Sequence, residues 1–157
     1  MDDSQKGHDF SDAIQEHVNW DNLDLRRSRF CRASFLYCSF RGVNLTGADF
    51  SNAIVPHGDF TDAILRNVDF EDATIVYCDM READLRDSCF NNVSMGYVKL
   101  QNADLRGADF SGTKHIKLAR LQGARYDATT RWPPGFDPEE YGAIRIDSDT
   151  NEHIEEG

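Results

Sequence analysis

Every fifth residue from Trp20 to Phe110 is large and apolar, running Trp20, Leu25, Phe30, Phe35, Phe40 and onward without a gap for 19 positions. In a chain that is 39% hydrophobic, chance gives such a run about twice in 10^8 trials. The residue two before each is small almost throughout, Leu23 being the exception, and the positions between are mostly polar. A period of five belongs to neither an α-helix nor a strand, whose side chains repeat every 3.6 and 2 residues.

A second period resolves this. Leu25, Leu45, Leu65, Leu85 and Leu105 lie twenty apart, and so do Phe30, Phe50, Phe70, Phe90 and Phe110. Identity recurring at twenty means that side chains twenty apart stack. Four quintets then make one turn of a four-sided solenoid whose large and small positions fill the axis together. Each buried Leu or Phe contributes roughly 1.5–3 kcal/mol against roughly 1–2 kcal/mol per residue of lost backbone freedom, so no coil is stable without neighbours.

The segments NLTGADFSNA (44–53), ADLRDSCF (83–90) and NADLRGADFSGT (102–113) resemble the A(D/N)LXX pattern of pentapeptide-repeat proteins, over roughly residues 18–128. The resemblance implies an all-β fold, a right-handed quadrilateral β-helix. The beat breaks once: residue 115 is His, and Ile116, Leu121 and Tyr126 resume the rhythm one residue late, which predicts a one-residue bulge near 113–115. About 5.5 coils result, a rod of roughly 26 Å.

The ends are expected to close the rod. Residues 1–17 form an N-terminal cap or arm, either a short helix with Ser11 as N-cap or an irregular extra coil, since Phe10 and Ala13 keep the beat and Gln15 does not. Residues 129–146 form a C-terminal cap: Pro133, Pro134 and Pro138 cannot continue a ladder, and Trp132 and Phe136 are placed to cover the last coil. The YD..T.WP.GFDP ending is similar to the one that closes many small bacterial pentapeptide-repeat proteins. Residues 147–157 read as an acidic tail, expected to be mobile.

Three sides of the rod end their quintets largely in Gly, Asn or Asp (Gly42, Asp62 and Asn102; Gly47, Asn67 and Gly107; Asn52, Asn92 and Gly112), which suit the positive-φ corner of a type II turn. The fourth ends in Tyr37, His57, Tyr77 and Tyr97, so a different turn is expected there. That side also puts Leu36, Ile54, Pro56 and Val76 at outward positions. Stacking aligns all eight into an apolar and aromatic patch, and such contiguous surface marks interaction sites. The functional reading is a docking face for self-association, as a homodimer, or for another protein. The bland one is a ladder of rings that only stiffens the rod.

Little points to catalysis. His8, His17, His57, His115 and His153 have no metal-ligand spacing, and no phosphate loop, nucleophile–base pair or cofactor motif is visible. The cysteines at 31, 38, 78 and 89 match no zinc pattern. Cys38 and Cys78 fall two coils apart, roughly 9.6 Å, beyond the roughly 7 Å reach of a disulfide, so free thiols in a reducing cytosol are expected. The polar start MDDSQKGHDF is not a secretory signal, no apolar run reaches the roughly 20 residues that span a bilayer, and the cytoplasm is the default compartment.

A net charge of -11 disfavours nucleic acid and anionic membranes as partners. It raises an alternative that the family resemblance also implies, a DNA mimic that modulates a type II topoisomerase such as gyrase, of the fluoroquinolone-resistance type. DNA carries one charge per roughly 1.7 Å, so a 26 Å mimic needs about 15. Residues 18–117 hold 14 acids against 12 Lys and Arg. Only residues 48–87, with ten acids against three Arg, approach that density, and Arg26, Arg27, Arg29 and Arg32 oppose it near one end. A non-catalytic protein-interaction scaffold is therefore the favoured reading.

Overall fold

A computed structural model describes residues 7–146. The chain coils with parallel bridges between residues twenty apart, from Asp9↔Arg29 through Asn44↔Ile64 and Asp84↔Asp104 to Ser94↔Lys114. Four quintets thus complete each turn, and the structure is a four-sided parallel β-helix. Most bridges are single residue pairs, because each side is too short for a longer strand before the next corner. The exception at the start is β1 (Ile14–Glu16), which pairs in parallel with β2 (Ser34–Leu36).

The leucine column is buried from Leu25 to Leu105, and so is the phenylalanine column from Phe30 to Phe110. The Phe rings stack coil on coil, 4.5 Å between Phe30 and Phe50 and 4.7 Å between Phe90 and Phe110. A second aromatic column, Trp20, Phe40 and Phe60, stands edge-on to the first. Alternating stacked and edge-to-face contacts let the rings pack closely along the axis.

Where an Asp or Asn precedes the inward apolar, it has a structural task. Its side-chain oxygen accepts a hydrogen bond from the backbone N–H two residues on, as in Ser51 to Asp49, Thr61 to Asp59 and Ser111 to Asp109. This Asx turn satisfies an N–H that the short ladder leaves over. On the leucine side Arg follows and adds an ion pair: Arg86 meets Asp84 at 2.9 Å and Arg106 meets Asp104 at 2.7 Å.

The corners depart from expectation twice. Tyr37, His57, Tyr77 and Tyr97 have φ of 56°, 57°, 61° and 62°, the same left-handed region as Asn52 and Gly42. In φ that side matches the others, but its closure varies: Cys78 N–H closes the usual three-residue bond to Ile75 O, whereas at His17 and Tyr37 a three-residue strand runs into a bend. Gly112 is the other departure, since its φ lies outside the left-handed region. Here the ladder slips: Gly112 O accepts from Asn92 N–H, where Asn91 O serves Asp72 one coil earlier. The slip leads into a 3₁₀ turn at Ile116–Leu118. Beyond it the bridges become Lys99↔Arg120 and Asp104↔Arg125, a spacing of 21, so the extra residue sits at the expected place. A second single-residue shift follows, Asp109↔Arg131, which the repeat pattern did not signal.

At the start, Ser11 caps no helix. Asp9 bridges Arg29 and Asp12 adopts φ 64°, so the chain before residue 18 already runs as a coil in register. Phe10 dictates this by stacking on Phe30 at 5.2 Å. At the other end Trp132 continues the phenylalanine column, 5.1 Å from Phe110 and 11° from parallel. The prolines make a loop and a 3₁₀ helix at Pro138–Tyr141, after which the ladder resumes: β3 (Arg125–Tyr126) pairs in parallel with β4 (Ile144–Arg145). The acidic tail assigned to residues 147–157 lies outside the described residues. Among those described, no helix is long and apolar enough to cross a membrane.

Candidate protein-interaction face

The side that carries the tyrosines is built by one register rule: residue 17 and its followers at twenty-residue steps all turn the same corner. The rings form one column, His17–Tyr37–His57–Tyr77–Tyr97, with centroid separations of 5.4, 4.8, 4.9 and 5.1 Å and interplanar angles of 11° or less. The side chains share a corner whose successive coils rise by roughly 4.8 Å, so near-parallel stacking follows from the backbone repeat itself. The repeat pattern placed the last four rings correctly in one register and left His17 among scattered histidines. Its signal was present, since 17 lies one coil before 37.

These rings stack and are exposed at once. Tyr37, Tyr77 and Tyr97 keep 55%, 52% and 52% of their surface. Beside them Ile54 is exposed, while Leu36, Pro56 and Val76 are half-buried. Ile14, at 76%, and Leu118 extend the apolar surface beyond the candidate residues at the two ends. The outward positions of four consecutive coils, SFLY (34–37), IVPH (54–57), TIVY (74–77) and SMGY (94–97), contain no charge. The neighbouring sides do carry charge in the same coils, through Asp49, Asp69 and Glu71 on one and Asp59, Asp79 and Arg81 on the other. Near the last coils the face sinks into a groove of about 310 Å³ over Gly96, walled by Val76, Tyr77, Tyr97, His115 and Leu118.

Elsewhere several titratable groups are committed to structure. Burial pushes the Asp104 carboxyl up, but the Arg106 side chain and backbone outweigh it and hold the group below its ordinary value. Asp79 behaves alike through Arg81. Cys78 is fully buried with its thiol 2.7 Å from Val55 O, and burial pushes it up to about 12. Burial also raises the Cys38 and Cys89 thiols. All four cysteines are unbridged. Among the described residues no group of three His, Cys, Asp or Glu side chains is placed to hold a metal ion.

The family model described as pentapeptide repeats matches in eight copies, over residues 16–47, 44–76, 59–92 and 78–114. No curated protein matches the sequence. Among solved structures, the pentapeptide repeat protein Rfr23 of the cyanobacterium Cyanothece 51142 is 19% identical over 79% of this chain and 90% of its own, with a TM-score of 0.46. HetL of Nostoc sp. strain PCC 7120, involved in heterocyst differentiation regulation, is 16% identical over 90% and 88%, also at 0.46. A trypsin-treated form of QnrB1, a plasmid-mediated fluoroquinolone resistance protein, is 16% identical over 92% and 97%, at 0.37. The repeat matches span most of the coil ladder, and the chain belongs to the pentapeptide-repeat family, whose fold is a right-handed β-helix.

Proposed function

We propose that the chain is a non-catalytic protein-interaction module and that the ring-bearing side is its docking face. The observation that carries this reading is the column of stacked rings whose tyrosines stay more than half exposed beside an uncharged apolar strip. Stacking fixes each ring before a partner arrives, so little side-chain freedom is lost on binding. A contiguous apolar surface on a soluble chain is a recognition surface more often than an accident. Leu36, Tyr37, Ile54, Pro56, His57, Val76, Tyr77 and Tyr97 form its centre.

The test is a folded double variant, Val76→Asp with Tyr77→Arg, compared with the wild type in affinity capture from the native cell. Loss of a partner from the variant alone supports the face, and equal recovery from both rejects it. The topoisomerase-mimic reading makes a different prediction, strong inhibition of DNA gyrase supercoiling at low micromolar protein. The ion pairs of Asp79, Asp84 and Asp104 with neighbouring arginines count against it, because they cancel charge that a mimic must display.

A further inference from the structure

One column of the docking face differs between its two ends in both size and charge. At successive coils the residue after the inward position is Glu16, Leu36, Pro56, Val76 and Gly96. After the bulge, Ile116 is the buried inward residue, which makes Lys117 the next member. Glu16 and Lys117 are both exposed. The column therefore runs from an acid, through Leu, Pro and Val, to a glycine with no side chain, and on to a base.

We infer that this face docks a second copy of the chain, antiparallel, about a two-fold axis passing between the coils of Pro56 and Val76. The inference rests on the docking face proposed above and names its occupant. A two-fold axis lying in the contact plane across the rods reverses the order of coils and keeps each column opposite itself. Pro56 then meets Val76, Leu36 meets the groove over Gly96, and Glu16 meets Lys117, each contact occurring twice. The end members permit this: Leu36, the largest, faces Gly96, which has no side chain, while Pro56 and Val76, with three side-chain carbons each, meet beside the axis. In the ring column the same operation sets His57 against Tyr77 and Tyr37 against Tyr97. A parallel arrangement loses this pairing, because each coil then faces its own copy, so Leu36 meets no glycine and Glu16 no Lys117. The contact spans one side of a short rod and falls in the small interface class, below roughly 1,200 Å² in total, so the dimer is a weak one with dissociation in the micromolar range.

The experiment is sedimentation equilibrium of the full chain from roughly 1 to 300 µM, with circular dichroism to confirm folding. The wild type is expected to pass from monomer to dimer over that range. Glu16→Lys and Lys117→Glu should each weaken association about tenfold or more, and the double exchange should restore it. Gly96→Leu should also weaken it by filling the groove. Its Cβ is accommodated, meeting only His115 and Leu118 at 3.9 Å, and circular dichroism checks that the fold survives the rest of the side chain. A wild type that stays monomeric, or a folded charge exchange that fails to recover the dimer, overturns the inference. A monomer whose partner capture still depends on Val76 and Tyr77 leaves the docking face standing, so the two failures can be told apart.

Discussion

The imidazole of His57 lies 4.9 Å from the Tyr77 ring, centroid to centroid and 5° from parallel, while both residues hold left-handed backbone angles. An L side chain in that region costs roughly 1–2 kcal/mol, and a stacked ring pair returns roughly 0.5–1.5 kcal/mol. The ring column and the strained corners therefore come close to offsetting each other.

Tyr77→Gly tests this balance. It removes the strain together with two ring contacts, so the free energy of unfolding should change by no more than about 2 kcal/mol. Tyr77→Val keeps the strain, adds a β-branched side chain and loses the rings, and should be about 2 kcal/mol less stable than Tyr77→Gly. Urea denaturation of both variants reads the difference.

Adjacent residues on one side should differ sharply. Leu65 is wholly buried and Ile64 is 37% exposed. Leu65→Ala should cost about 2–5 kcal/mol, whereas Ile64→Ala should stay below about 1 kcal/mol. Equal losses in thermal or urea unfolding would contradict the inward assignment of the leucine column.

Acid should loosen the rod in a defined window. In the folded chain Asp79 and Asp104 are held below the ordinary carboxyl value, as are Asp49 and Asp109 by their hydrogen-bond donors. A depressed folded value means that stability is full above the unfolded value, about 3.9, and drains away as pH falls through the folded one. Unfolding free energy should be flat near pH 6 and decline below about pH 4. Asp109→Asn keeps the acceptor for Ser111 and should be mild, while Asp109→Ala should cost about 1 kcal/mol.

Thiol labelling should sort the cysteines by burial. Cys89 is half-buried, whereas Cys78 is closed off and its thiol is pushed up to about 12. With a disulfide-exchange reagent at neutral pH, Cys89 should react first and Cys78 last, and all four should react at once after denaturation.

The core was legible because Leu and Phe columns repeat at a fixed step, and identity twenty residues apart follows directly from side chains that stack once per turn. The ring column was legible for the same reason from Tyr37 to Tyr97. What escaped was of another kind. The corner conformation of Tyr37 and Tyr77 could not be read from residue preference, which disfavours positive φ for aromatics. The backbone repeat and ring stacking override that preference. The coil that includes Asp9 was obscured by Gln15 at an inward position, although Phe10 kept the beat. The return of Ile144–Arg145 to the ladder was hidden because prolines signal departure and carry no information about where the chain comes back.

The single-residue slips after Gly112 and before Arg131 bear on how the molecule assembles. Coils of identical pitch and nearly interchangeable composition invite the chain to thread one frame out of step. A segment that must step by 21 and then 22 fits only one frame. The C-terminal part thus marks the native frame at its own end of the rod, since only that pairing accommodates both extra residues.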